Sequence, residues 1–287
     1  MTMPGIYTRR AWPGRISRAE RSHKSGLSNV LAQLAERGAS LGAVGWSLLL
    51  MAPFIGSFLG VVIRRLPEGR PVAWARSDCE SCGATLTPRD LIPLISWLAA
   101  RGRCRHCGHV LGWFYPGVEL AALAVAVVAL AVDRPEQAWL DCLLGWWLLT
   151  LGWIDVRTWL LPDILTLPLL VLGLVVCISF NPEDLVDRAA AAALGYLVLQ
   201  AVAWAYQRCR GREGLGQGDA KLFAAAGAWL GLAALPQVIL IAAVAALAAA
   251  AALGLAGTRL RALTALPFGP FLGLATWLTW LFGPIVF

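Results

Sequence analysis

The 287-residue chain is 59% hydrophobic and 14% charged, with a mean hydropathy of +0.67. Soluble domains carry about 25% charged residues, so this composition excludes an ordinary soluble enzyme, and apolar runs without period-2 alternation exclude a membrane β-barrel. The net charge of +7 follows from retention of Lys and Arg on the cytoplasmic side of a membrane rather than from a nucleic-acid partner.

Residues 1–42 are polar and Arg-rich with no sustained pattern, and are expected to form a disordered extension. A first span is expected over 44–63, followed by a polar loop to about residue 113. Further spans are centred on 117–132, 138–155, 162–179, 188–206, 220–234, 236–257 and 266–286, which makes eight, with the boundary near Pro236 the least marked. Each approaches the ~20 apolar residues that a bilayer crossing requires. The fold class is therefore all-α, a polytopic helical membrane protein.

Lys and Arg fall on alternate connections: Arg64, Arg65, Arg70, Arg76, Arg89, Arg101, Arg103 and Arg105 after span 1; Arg157 after span 3; Arg208, Arg210, Arg212 and Lys221 after span 5; Arg259 and Arg261 after span 7. The remaining connections hold only Arg134 and Arg188, beside acids such as Asp133 and Glu183. The first set is therefore expected in the cytoplasm. Seven basic residues in the N-terminal extension oppose this orientation; the four concordant connections outweigh them.

The first cytoplasmic loop contains "CESC" at 79–82 and "CRHC" at 104–107. Each pair presents two thiolates from one tight turn, and Cys79, Cys82, Cys104 and Cys107 together make a tetrahedral S4 set suited to structural zinc. The loop is short of apolar residues, and a metal could replace the core it lacks. Alternatives are His106 or His109 as a ligand, disulfides, or an iron–sulfur cluster; cytoplasmic placement opposes the disulfides.

Two acids lie at membrane depth, Asp155 in "LGWIDVRTWLLPD" and Asp219 in "GLGQGDAKL". An intramembrane carboxylate is costly and marks function. The topology brings both to one membrane face, where paired carboxylates sharing a proton could hydrolyse a peptide. Gly214, Gly216 and Gly218 permit close backbone approach beside Asp219. Helix capping by each Asp, and ion or proton transport, remain open on the residues alone. Clustering at one face favours an enzyme, since the spans elsewhere look nearly devoid of the polar groups a conduction path requires. Pro162 followed by Asp163 reads as a helix start, with tuning of the acid pair as a second role for Asp163.

In this order and context, further segments complete a pattern: "GSFLGVVIRRLP" at 56–67, "DLIPLISWLAARGRC" at 90–104, "YPGVEL" at 115–120, "IDVRTWLLPDILTLPLL" at 154–170, "EGLGQGDAKLFAAAGAWLG" at 213–231 and "PFGPFLG" at 267–273. Over nearly everything after residue 50 the chain resembles the type IV prepilin peptidases, membrane aspartic proteases with a GxGD motif. The resemblance implies a catalytic pair of Asp155 and Asp219, supported by Asp163, Gly216, Gly218 and Lys221. It implies cleavage of prepilins or type II secretion pseudopilins after a glycine, at the cytoplasmic face of the bacterial inner membrane. It further implies N-methylation with S-adenosylmethionine by the N-terminal half, whose donor-binding region would include Gly56, Ser57, Arg101 and Arg103. The implied organisation is the extension to 42, a first span plus metal loop over 43–113, and a peptidase unit over 114–287. One departure is Gly60, where the family carries Asn; glycine cannot replace an amide's donor and acceptor, which bears on methyl transfer and not on proteolysis.

Overall fold

The computed structural model describes residues 41–72, 77–79, 81–133, 135–211, 216–256 and 266–284. The N-terminal extension up to residue 40, Gly214, and Arg76, Arg134, Arg212, Arg259 and Arg261 of the charge pattern lie outside the described residues.

The described residues are helical, with no strand beyond two isolated bridges. The helices are α1 (Gly42–Arg65), a short α2 (Ile95–Ala99) in the cysteine loop, α3 (Phe114–Val132), α4 (Pro135–Thr158), α5 (Asp163–Phe180), α6 (Leu185–Arg210), α7 (Gln217–Leu230), α8 (Leu235–Leu255) and α9 (Gly269–Phe282). All eight expected spans correspond to helices. Six of them (α1, α3, α4, α5, α6 and α8) are long and apolar enough to cross a membrane. The other two, α7 and α9, have 14 residues each, about 21 Å of helix against a hydrocarbon core of about 30 Å. The break between α7 and α8 lies at Gly231, which has φ +83°, and not at Pro236, which sits in the first turn of α8. Proline fits a first turn because its missing N–H has no intrahelical partner there.

α7 is the central helix. It packs against α5, α6 and α9, and its residues from Asp219 to Trp229 are buried apart from Lys221. By contrast α1 turns Trp46, Leu50, Phe54 and Phe58 outward, a fourfold repeat that forms one apolar face for lipid. Lipid tails give helices no hydrophobic reason to associate, so close packing and interhelical hydrogen bonds must hold the bundle. Tryptophan supplies many of these bonds. Trp229 Nε1 of α7 donates to Leu169 O of α5 at 2.9 Å, Trp146 Nε1 of α4 to Ala122 O of α3 at 2.9 Å, and Trp147 Nε1 to Leu165 O of α5 at 3.0 Å. Trp280 Nε1 of α9 donates to Asp141 Oδ1 of α4 at 2.7 Å.

Asp141, Glu119 and Arg188 are thus buried inside helices in addition to Asp155 and Asp219, so the spans hold more polar groups than their sequence suggested. Arg188 donates to Trp229 O near the carbonyl end of α7, where a positive charge complements the helix dipole.

Small residues set the closest helix contacts. A Cβ on Gly227 of α7 would lie 2.6 Å from the backbone C and O of Ala191 in α6, which no side-chain movement can relieve. Gly227→Ala is expected to destabilise the bundle by about 1–3 kcal/mol through overpacking, despite alanine's better helix propensity. Thermal unfolding in detergent measures this, and a midpoint equal to the parent's would disprove the contact.

Candidate functional site

Both sequence-selected acids are buried, Asp155 at 6% and Asp219 at 8% exposure. Asp155 lies in the last turn of α4. That helix ends as Trp159 adopts φ +58° and donates its N–H to Asp155 O at 2.9 Å, and Pro162 then starts α5 at Asp163. Asp219 is the third residue of α7, with Gly216 as N-cap. The Gly216 N–H bonds back to the Asp219 carboxylate, half of a capping box, so the capping role considered for Asp219 is real. It accounts for only part of that carboxylate. Oδ1 of Asp219 is buried with no hydrogen-bond partner among the described residues, and the two acids are close enough for the Asp155 charge to act on Asp219.

Asp155 is oriented by a residue that the sequence reading left without a role. Gly269, the first residue of α9, donates its N–H to Asp155 Oδ2 at 2.9 Å. A Cβ at Gly269 would lie 2.7 Å from that same oxygen. Gly218 is equally constrained, since a Cβ there would meet Leu161 Cβ at 2.7 Å; the α4–α5 connection therefore lies directly against the GxGD turn. Asp163 accepts from Lys221 Nζ at 2.6 Å, which ties the first turn of α5 to that of α7. The first turns of α7 and α9 thus meet at the acids, and their dipoles favour negative charge there.

The cysteine loop forms two small hairpins. Cys79 N–H donates to Ala84 O at 2.9 Å and Cys104 N–H to His109 O at 2.8 Å, each CxxC pair occupying one tip. The four Sγ atoms lie within 4.8 Å of one another, Cys79 and Cys107 at 4.0 Å. Tetrahedral thiolates at the usual zinc–sulfur distance would be about 3.8 Å apart, so the set fits a metal ion. Neither His106 nor His109 belongs to it. The Thr87 hydroxyl, 2.6 Å from Asp90, holds that carboxyl below its ordinary range, and Asp90 pairs with Arg105 at 3.2 Å. Arg65 of α1 pairs with Asp78 at 3.2 Å. The hairpins are thereby tethered to each other and to the membrane bundle.

Between the loop, the last turns of α1 and the first turns of α3 lies a cavity of about 570 Å³. Of the four residues expected near a methyl donor, Ser57 and Arg103 line it. Gly56 lies behind the wall, where a Cβ would be 2.7 Å from Glu119 Cα, and Arg101 sits on an exposed turn outside the lining. Gly60 faces the Tyr115 ring, which a Cβ would meet at 2.9 Å. Glu119 also lines the cavity and is 5% exposed. It was missed, although a single acid inside an apolar run is the same signal that singled out Asp155.

A helical membrane protein with two buried carboxylates at one end of its bundle and a four-cysteine loop at the same end has counterparts. Residues 50–132 match the bacterial peptidase A24 N-terminal domain, and residues 142–251 match the type IV leader peptidase family. The chain is 42% identical over 221 residues to the prepilin leader peptidase/N-methyltransferase of Dickeya chrysanthemi, covering 69% of this chain and 78% of that protein. The similarly named Klebsiella pneumoniae protein is 43% identical over 206 residues, covering 69% and 90%. That of Aeromonas hydrophila is 39% identical over 239 residues, covering 74% and 82%. No solved structure matches. The chain belongs to the type IV leader peptidase family.

The cysteine geometry carries its own expectation. Purified protein should hold one metal ion per chain, and the Cys104→Ser/Cys107→Ser double variant should lose it, because two thiolates cannot close a tetrahedral site. Elemental analysis decides, and unchanged metal content in the variant would rule out this ligand set.

Proposed function

We propose that the chain is a membrane aspartic peptidase that removes the leader of type IV prepilins or type II secretion pseudopilins after a glycine, then methylates the new N-terminus with S-adenosylmethionine. The observation that carries the peptidase reading is the meeting of Asp155 and Asp219, 64 positions apart in sequence, with Asp219 Oδ1 buried and free of protein partners among the described residues. Two carboxylates that act on each other would not both ionise comfortably, and in this reading they share one proton. The ionised member takes a proton from the attacking water, and the protonated member donates to the scissile carbonyl, so no covalent intermediate is required. Gly269 fixes the attitude of Asp155. Asp163 and Lys221 link two of the first turns around the pair, and Gly216 and Gly218 keep it free of obstructing side chains.

In this reading the acids and the metal loop lie at the cytoplasmic face of the inner membrane. Arg64, Arg65, Arg157, Arg208 and Arg210 at the last turns of α1, α4 and α6 support it. The metal is zinc, held by Cys79, Cys82, Cys104 and Cys107 as a structural clamp on the two hairpins. Residues 1–42 are an extension, 43–113 carry methyl transfer, and 114–287 carry proteolysis, with α3 lending a wall to the donor cavity. Its volume of about 570 Å³ lies within the usual range for small-molecule sites.

Asp155→Asn and Asp219→Asn should each lower leader removal by about 10²–10⁴-fold or more while the protein accumulates normally, since the exchange conserves shape. Cleavage of a prepilin in detergent measures this, and substantial activity in either variant would overturn the pair. Mass spectrometry of the product made by the parent with S-adenosylmethionine should show one added methyl group, whereas an unmodified N-terminus after complete cleavage would leave a peptidase alone.

A further inference from the structure

We infer that Glu119 receives the new N-terminal ammonium group of the cleaved substrate and accepts its proton before methyl transfer, an assignment that rests on the methyl-transfer reading above. Three acids line the cavity, and two are already paired: Asp78 with Arg65 at 3.2 Å and Asp90 with Arg105 at 3.2 Å. Glu119 has no ion-pair partner among the described residues. It accepts the Leu94 N–H at 2.8 Å, which leaves carboxylate lone pairs free. A buried carboxylate without a cation is costly unless something supplies one. The cavity beside it is where a cation would arrive, and the chemistry of the proposed reaction delivers a primary ammonium.

The route is short. Phe114, at the start of α3, packs edge-on against Trp153 of α4 with centroids 6.0 Å apart. Arg157 of α4 lies over the same ring at 4.9 Å, and Arg64, a cavity-lining residue, lies over it at 4.7 Å. Trp153 and Arg157, one turn apart, share a face of α4, and Asp155 between them in sequence lies on the opposite face, so this segment of α4 stands between the cavity wall and the peptidase acid.

The step balances as follows. The substrate's R–NH3+ gives one proton to the Glu119 carboxylate. The lone pair of the resulting neutral amine attacks the methyl carbon of a sulfonium donor. The carbon–sulfur bond breaks with its electron pair passing to sulfur, which leaves a neutral thioether and R–NH2+–CH3. The proton on Glu119 then passes to water, for a net release of one proton.

Glu119→Gln keeps an oxygen for the Leu94 hydrogen bond and removes the charge. The first measurement is binding of a peptide with the mature pilin N-terminal sequence to full-length protein in detergent, as the free amine and as its N-acetyl form. The parent should prefer the free amine by about tenfold or more, and E119Q should lose that preference. In parallel, E119Q should methylate about 100-fold more slowly near pH 7 and recover as pH rises past the intrinsic amine pKa of about 8, while leader cleavage stays within about twofold. Retained amine preference with unchanged methylation in E119Q overturns the role of Glu119 alone. Weakened binding of S-adenosylmethionine with unchanged peptide preference assigns the carboxylate to the donor's own amino group and overturns it too. Joint loss of cleavage and methylation in both E119Q and E119D marks a purely structural role at Leu94, against the inference. A parent that cleaves fully but never methylates, at saturating donor, overturns the methyl-transfer reading itself.

Discussion

The architecture depends on holding two carboxylates out of water at one end of a helix bundle with no ion-pair partner for either among the described residues. Burying a charge is tolerable only where hydrogen bonds replace its hydration, and here the donors are backbone amides at helix starts. Gly269 N–H serves Asp155 and Gly216 N–H serves Asp219. Both amides belong to the group of N–H donors that a helix leaves unpaired at its beginning. α7 and α9 must therefore start at the level of the acids. Their 14-residue lengths accord with helices positioned by a site rather than by the thickness of the bilayer.

Gly269 follows from the same constraint, since a Cβ there would lie 2.7 Å from the Asp155 oxygen that its N–H serves. The central helix carries its glycines for packing: a Cβ would lie 2.7 Å from Leu161 Cβ at Gly218 and 2.6 Å from the α6 backbone at Gly227.

Much of this was readable from residues alone, and the exceptions have a common cause. Asp155 and Asp219 stood out because charge in an apolar run is conspicuous, and the CxxC spacing named its four thiolates directly. Gly269 did not stand out, because its contribution is a backbone N–H and any sequence position offers one; only the three-dimensional meeting of α9 with α4 selects it. Glu119 carried the conspicuous signal, yet the apolar run around it was taken as a span and the acid was passed over. Asp141 was likewise passed over, and Arg188 was counted with a connection although it is buried in α6; one is held by a tryptophan indole from α9 and the other by a carbonyl of α7, partners more than 40 positions away. The break at Gly231 was displaced onto Pro236 because proline is a stronger punctuation mark in sequence than glycine, although in a first helical turn it does not interrupt anything.

The shared segment of α4 gives the two proposed reactions a physical reason to occupy one chain. Leader removal leaves an amine on a long apolar helix that stays anchored in the bilayer, so it cannot tumble freely toward a second enzyme. Methyl transfer requires that amine to meet a sulfonium in line, and the entropic cost of achieving this falls when the amine is released already near its destination. Trp153 and Arg157 touch the Phe114 ring, which lies beside Arg64 and Tyr115, and Asp155 lies on the opposite face of the same turns of α4. One helix therefore borders both proposed sites, and its width of about 10–12 Å sets the scale of the transfer. The two guanidiniums over Phe114 disfavour an ammonium at that ring, so in the proposed sequence the attraction that holds the terminus has to come from the Glu119 carboxylate within the cavity.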